Sequence, residues 1–171
     1  MINKIEIKQL RHLEEASLLE QEFAKHNMYR EDNYYGKCLR ENEEGKRVTL
    51  IAYYDGKVAG CCHLLYESKY HYFQHEKIPE INDLCVFPKY RRKNIASLLF
   101  DELESKAATT SKTIGLGVGL YKDYGPAQLM YGKRGYVLDG KGAVSNNQTI
   151  EPGKTVMVDD ELLIYLVKSL Q

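Results

Sequence analysis

The chain has 171 residues, and its 24 Lys and Arg balance 24 Asp and Glu, so the formal net charge at neutral pH is zero. That balance provides no global field to draw in nucleic acid or an anionic membrane, while the length suffices to bury one core. With no proline-rich, glycine-serine or low-complexity stretch to divide it, a single domain over residues 1–171 is expected.

Ile2 to Leu10 alternates apolar and polar residues, which predicts a strand and not a signal peptide or membrane span; a cytoplasmic protein is expected. Leu13 to Met28 repeats apolar residues at helical spacing, with Leu18, Leu19 and Phe23 on one side, and a shorter helix is expected around Asp32 to Glu43. Val48 to Tyr54 and Val58 to Tyr66 flank Asp55-Gly56, whose residues accept the positive φ of a tight turn, so the stretch reads as a hairpin. The four cysteines, Cys38, Cys61, Cys62 and Cys85, lack zinc-ligand spacing and read as reduced structural thiols.

Ser68 to Ile78 is polar and aromatic without a clean period and reads as a loop or extension leading to a strand from Glu80 to Phe87. His71 and His75 stand four apart, but no helical pattern surrounds them and no third ligand is evident, so no metal is expected there. Pro88 stops the strand. Arg91, Arg92, Lys93, Asn94, Ile95 and Ala96 then form a basic turn into an amphipathic helix carrying Ile95, Leu98, Leu99 and Leu103 on its sheet side. A helix start offers unpaired backbone N–H groups and the positive end of its dipole, which suits a phosphate. Tyr90 to Lys93 alone also fits a nucleic-acid patch, but the zero net charge argues against that partner.

Thr113 to Leu120 reads as a buried strand. Gly115, Gly117 and Gly119 lie within it and not between a strand and a helix, so they imply close backbone approach and not a dinucleotide loop. Pro126 to Arg134 reads as a short helix, with Gly135 in the left-handed position past its end that lets Tyr136 fold back on Tyr131. Asp139 to Gly153 reads as a polar loop, and Leu162, Ile164 and Leu166 mark a last strand. This order of elements predicts an α/β (α+β) fold with helices on both faces of a mixed sheet.

Two of these segments carry a family resemblance. Arg91-Arg92-Lys93-Asn94-Ile95-Ala96 resembles the Arg/Gln-x-x-Gly-x-Gly/Ala signature of the GNAT N-acetyltransferases, with Asn94 where glycine is usual. Ala127, Tyr131 and Gly135-Tyr136 match that family's pattern after the following strand, although Tyr124 stands where many members have an asparagine. The resemblance implies a mixed, mostly antiparallel sheet of six to seven strands flanked by about four helices. It further implies acetyl-CoA as acyl donor without a metal, and a primary amine of a small molecule or peptide as acceptor. By analogy with relatives it also leaves a homodimer open.

Residue by residue, it places the coenzyme's pyrophosphate on the backbone of Arg92 to Ser97, with charge from Arg91, Arg92 and Lys93. The pantetheine arm would pair with Leu84, Cys85 and Val86, and the Leu84 N–H would polarise the thioester carbonyl; losing one such donor in other enzymes costs roughly 3 kcal/mol. An amine with a pKa of about 10 arrives protonated and needs a base. Glu80 takes that role in the family alignment, Asp83 is the second candidate, and Tyr131 resembles the tyrosine that protonates the leaving thiolate. In a regular strand, Glu80 and Leu84 share a face that Asp83 leaves unless a bulge re-aims it. Cys85 reads as a buried thiol and not a nucleophile, since no histidine near it in sequence would activate it. The alternative function is a non-catalytic acyl-CoA sensor that keeps the phosphate turn.

Overall fold

The computed structural model of the chain describes residues 4–170. Its strands are β1 (Ile5–Gln9), β2 (Arg47–Tyr54), β3 (Lys57–Leu65), β4 (Glu80–Val86), β5 (Thr113–Gly119), β6 (Val137–Ser145), β7 (Gln148–Thr149) and β8 (Leu162–Ser169). Its helices are α1 (Leu13–Lys25), α2 (Tyr34–Glu43), α3 (His71–Glu76), α4 (Ile95–Ala108) and α5 (Gly125–Lys133). The eight strands form one mixed α/β sheet in the order β1-β2-β3-β4-β5-β8-β6-β7, one strand and one helix more than the upper expectation. The part of the first predicted strand at Ile2 and Asn3 lies outside the described residues.

The structure divides into two compact units, one made of the chain up to Tyr66 with Asn82–Ser105, the other of Glu67–Ile81 with the chain from Lys106 onward. In the first unit, Asp55 and Gly56 take φ of 48° and 76°, and the turn they make sets β2 against β3 with Leu50 opposite Cys62 and Ile51 opposite Cys61. Helix α1 buries Ala16, Leu19 and Phe23, and the Phe23 ring meets Tyr35 at 5.4 Å and Phe87 at 5.0 Å. Fully buried Leu19 and Phe23 each contribute about 1.5–3 kcal/mol relative to exposure. At Gly60 the backbone of β3 runs close to β4, for a Cβ there would lie 2.1 Å from the Cys85 carbonyl oxygen.

In the second unit, the start of β4 runs parallel to β5, with Glu80 opposite Gly115, while β8 pairs antiparallel with both β5 and β6. Tyr70, Phe73, Ile78, Val144 and Tyr165 form its aromatic core. The three glycines of β5 seat rings, with Phe73 at Gly115, Tyr165 at Gly117 and Tyr124 at Gly119 in the way of an added Cβ; the expected backbone approach holds at Gly115 alone, where the Leu166 carbonyl would lie 3.1 Å from it.

Two further expectations need correcting. The Ser68–Ile78 segment is not all loop, because His71 to Glu76 form α3, which places His71 and His75 on a helix after all. Residues 139–145, read as polar loop, belong to β6; Gly140 and Gly142 at φ 78° and 81° interrupt its ladder to β8, so the alternation that would reveal a strand is broken.

Candidate functional site

Within the first unit, β4 departs from regular geometry at Asp83, whose φ of 52° puts a non-glycine residue in the left-handed region inside a strand. Such a kink ends the simple alternation of faces and turns the side chain. The Asp83 carboxylate accepts a hydrogen bond from Arg30 Nη2 at 2.8 Å and a longer one from the Tyr34 hydroxyl at 3.5 Å. Burial and the Asp83 charge push the Tyr34 phenol well up. Leu84, Cys85 and Val86 follow, all partly exposed. Burial, with the Asp83 charge behind it, pushes the Cys85 thiol up to about 11, so it is protonated at neutral pH. Its Sγ–H points to Met28 Sδ at 3.7 Å. A neutral thiol is a poor nucleophile.

Phe87 is buried, and Pro88–Tyr90 make one 3₁₀ turn that anchors Tyr90 beneath the basic loop. Arg91 folds back, donating its Nε–H to the Val86 carbonyl at 3.0 Å. Arg92 and Asn94 take φ of 61° and 64°, two left-handed residues in a three-residue span. Asparagine tolerates this conformation better than most side chains, so the usual glycine is not required for the turn to form. Lys93 Nζ lies 4.9 Å from the centre of the Tyr54 ring. Arg91 to Asn94 are exposed, whereas Ile95 is buried and begins α4. The first-turn N–H groups of α4 thus emerge from a cationic loop and have no intrahelical acceptor.

Within the second unit, Glu80 is buried and accepts a short hydrogen bond from the Ser68 hydroxyl. Gly135 takes φ 90° beyond α5, and the Tyr136 N–H donates to the Tyr131 carbonyl at 3.1 Å. Tyr131 is buried, with its ring centre 6.2 Å from that of Tyr136. Tyr124, in place of the asparagine of relatives, donates its hydroxyl to Asp160 Oδ1 at 2.8 Å. Among the described residues no group of three or more His, Cys, Asp or Glu could hold a metal ion, and no helix is long and apolar enough to cross a membrane.

The model of the acetyltransferase (GNAT) family matches residues 7–136, a span that holds both motif segments and the strand before the basic loop. The chain belongs to this family. It is accordingly an acyltransferase of the GNAT type. Comparison with curated protein sequences gives no significant match. Among solved structures it is similar to a GNAT acetyltransferase from Streptococcus pneumoniae, at 16% identity and a TM-score of 0.71 over 98% of this chain and 100% of that one. It is similar to Arabidopsis thaliana Naa50 in complex with the bisubstrate analogue CoA-Ac-MVNAL, at 18% identity and a TM-score of 0.62 over 96% and 98% of the chains. An aminoglycoside 6'-N-acetyltransferase complexed with coenzyme A gives 16% identity and a TM-score of 0.64 over 97% of each chain. At these identities the likeness is one of fold.

Of the residues singled out in the sequence, Leu84 to Val86 and Arg91 to Ser97 fall in the first unit as one strand, loop and helix start, and Glu80 and Tyr131 fall in the second. Sequence reasoning on this GNAT chain missed Ser68, Arg30 and His63. Ser68 gave one weak signal: a serine two residues before an amide it can cap, the Tyr70 N–H at 3.0 Å. The other two are joined to Asp83 only by chain folding, from sequence separations of 20 and 53 residues.

Proposed function

We propose that this GNAT protein transfers an acetyl group from acetyl-CoA to a primary amine, by direct attack while both substrates are bound. The observation that carries the reading is the loop in which left-handed Arg92 and Asn94 lead cationic side chains into the N-terminus of α4. Three exposed cations and a helix start fit a diphosphate, which needs both charge and N–H donors. Arg92 to Ser97 would hold it through the backbone, with Arg91, Arg92 and Lys93 adding charge that is screened by salt.

The thioester brings an already activated acyl group, so the protein's own work is positioning, polarisation and proton transfer. Leu84, Cys85 and Val86 are partly exposed and lend their backbone to an extended arm. The Leu84 N–H then opposes negative charge growing on the carbonyl oxygen. Glu80 takes the proton from the acceptor amine, directly or through water, and Tyr131 returns one to the departing thiolate. The protonated state of Cys85 supports direct attack over a covalent enzyme intermediate.

Neighbours of the same fold include a protein bound to a peptide-bearing bisubstrate analogue and one that acts on aminoglycosides. Those neighbours support a small-molecule or peptide amine as the acceptor class here. The test is thiol release from acetyl-CoA, corrected for hydrolysis, across a panel of polyamines, aminoglycosides and peptides with free N-termini. Turnover with at least one amine supports the enzyme. Tight acetyl-CoA binding by calorimetry with no turnover would identify a non-catalytic acyl-CoA sensor, and absence of binding would reject both.

A further inference from the structure

Glu80 sits at the bottom of a hydrogen-bond chain that begins on another strand. Asp139 of β6 is fixed by the Lys141 N–H, which donates to its Oδ1 at 2.9 Å, and its Oδ2 accepts the Tyr70 hydroxyl at 2.8 Å. The Tyr70 ring stacks on Tyr165 with centroids 3.8 Å apart and planes 11° apart, and it meets Phe73 edge-on at 5.0 Å. Clamped at ring and hydroxyl, Tyr70 holds its own backbone still. Its N–H donates to Ser68 Oγ at 3.0 Å, and Ser68 in turn contacts Glu80 Oε2.

The direction of that last hydrogen bond follows from counting protons. A serine hydroxyl carries a single hydrogen. An ionised carboxylate has no proton to give, so against it the Ser68 hydrogen is the donor, while the Tyr70 amide fills one of the two lone pairs on Oγ. Ser68 and Glu80 are 2% and 6% exposed, so bulk water does not compete for either group. A hydrogen bond donated to a carboxylate favours its ionised form, whereas burial favours the protonated one. The groups that face Glu80 from other elements include Tyr165 of β8, whose phenol burial and the Glu80 charge push well up, and Ser68 and Tyr70 ahead of α3. Across the β5 ladder stands Gly115, whose side-chain space is filled by the Phe73 ring.

We propose that Ser68 is a positioning residue for the acyl transfer, holding the Glu80 carboxylate in one orientation and in its ionised, proton-accepting form. The inference rests on Glu80 being the base and adds the device that keeps it one. In the transfer itself one proton leaves the acceptor ammonium for the Glu80 carboxylate, the nitrogen lone pair so freed forms the C–N bond at the thioester carbon, and the C–S bond breaks to release the coenzyme as its thiol, which takes up the nitrogen's second proton. Ser68 keeps its proton throughout.

The direct test is a carbon-13 NMR titration of side-chain carboxyl carbons in the full chain labelled at glutamate, with Glu80→Gln used to assign the Glu80 resonance. Ser68→Ala is expected to raise the Glu80 midpoint by about one unit or more, with Ser68→Cys, a weaker donor of similar shape, falling between. Thiol release with the best amine of the panel is expected to fall in Ser68→Ala at pH values below the raised Glu80 midpoint, where one pKa unit approaches a tenfold change in the ionised fraction, and to recover as pH rises above it. A Glu80 midpoint that does not move in Ser68→Ala, or in Ser68→Cys should the alanine variant not fold, overturns the inference and leaves the role of Glu80 standing. Full turnover in Glu80→Gln overturns the base assignment itself, and with it the catalytic meaning of Ser68 even if the midpoint moves.

Discussion

His63 Nε2 lies 3.9 Å from Asp83 Oδ2, fully buried and without a hydrogen-bond partner. The neighbouring bonds show what that nitrogen carries. Asn42 Nδ2 donates to the Leu10 carbonyl at 3.1 Å, which turns its Oδ1 toward the Thr49 hydroxyl at 3.3 Å. Thr49 must donate there, so its lone pair accepts the Nδ1–H of His63 at 2.9 Å. The proton is therefore on Nδ1, and Nε2 presents a bare lone pair to a carboxylate that Arg30 already neutralises.

The imidazole resists a second proton, its pKa held well below the ordinary 6.5 by burial first and then by the Arg47 and Arg30 charges. In the unfolded chain the same residue titrates normally. Folding stability from this residue is thus full above pH 6.5 and falls as pH drops below it, because only the unfolded state takes the proton. Between pH 6.5 and 5.5 the loss should be about 1 kcal/mol. Urea denaturation of the wild type and His63→Gln at the two values measures it. A stability difference between them that is the same at both pH values would count against the buried neutral histidine.

Asn94 sets the second expectation. At φ 64° a β-branched residue is strained, and the left-handed conformation costs roughly 1–2 kcal/mol in a non-glycine residue without a short polar side chain. Asn94→Val should therefore weaken acetyl-CoA binding about tenfold, by distorting the loop that precedes α4, while Asn94→Gly should bind at least as tightly as the parent. Isothermal calorimetry decides it, and equal affinity in all three proteins would mean that the loop conformation does not govern binding.

What could be read in the sequence divides along physical lines. Asp55-Gly56, Gly135 and the basic loop were legible because their backbone demands are local and their residue types are the ones that meet them. Helix α3, with six residues, is too short to show a period, and β6 is interrupted by Gly140 and Gly142 where alternation should appear. The kink at Asp83 has only a weak compositional mark, since aspartate tolerates φ 52° better than most residues but inside a strand run it does not announce a turn. For the proposed site, the loop and Glu80 were named by motif, whereas Ser68 reaches Glu80, and Arg30 and His63 reach Asp83, only through tertiary contacts.

Gly60 offers a test of how tightly the coenzyme strand is held. The Cβ of an alanine there would come within 2.1 Å of the Cys85 carbonyl oxygen and 2.9 Å of Val86 Cα, both main-chain atoms that cannot rotate aside. Gly60→Ala must push β3 and β4 apart, and forced backbone shifts of this kind cost about 1–3 kcal/mol. Lower urea midpoints and weaker acetyl-CoA binding should appear together. A variant that loses stability but keeps its affinity would show that Leu84 to Val86 do not hold the coenzyme.

Tyr131 tests the other end of the reaction. Its ring is buried against Tyr136, and the turn closed by the Tyr136 N–H on the Tyr131 carbonyl involves no hydroxyl. Tyr131→Phe removes one O–H and leaves that packing and turn in place. If the hydroxyl protonates the leaving thiolate, the variant should lose about 10²-fold or more in kcat, the usual worth of a general acid. Affinity for acetyl-CoA should stay within about twofold, because a group that acts on the departing thiolate stabilises the transition state and not the bound substrate. Steady-state kinetics and calorimetry on the same preparation separate the two quantities. A kcat equal to the parent's would assign the proton to solvent, and a loss of affinity matching the loss of kcat would make Tyr131 a binding residue.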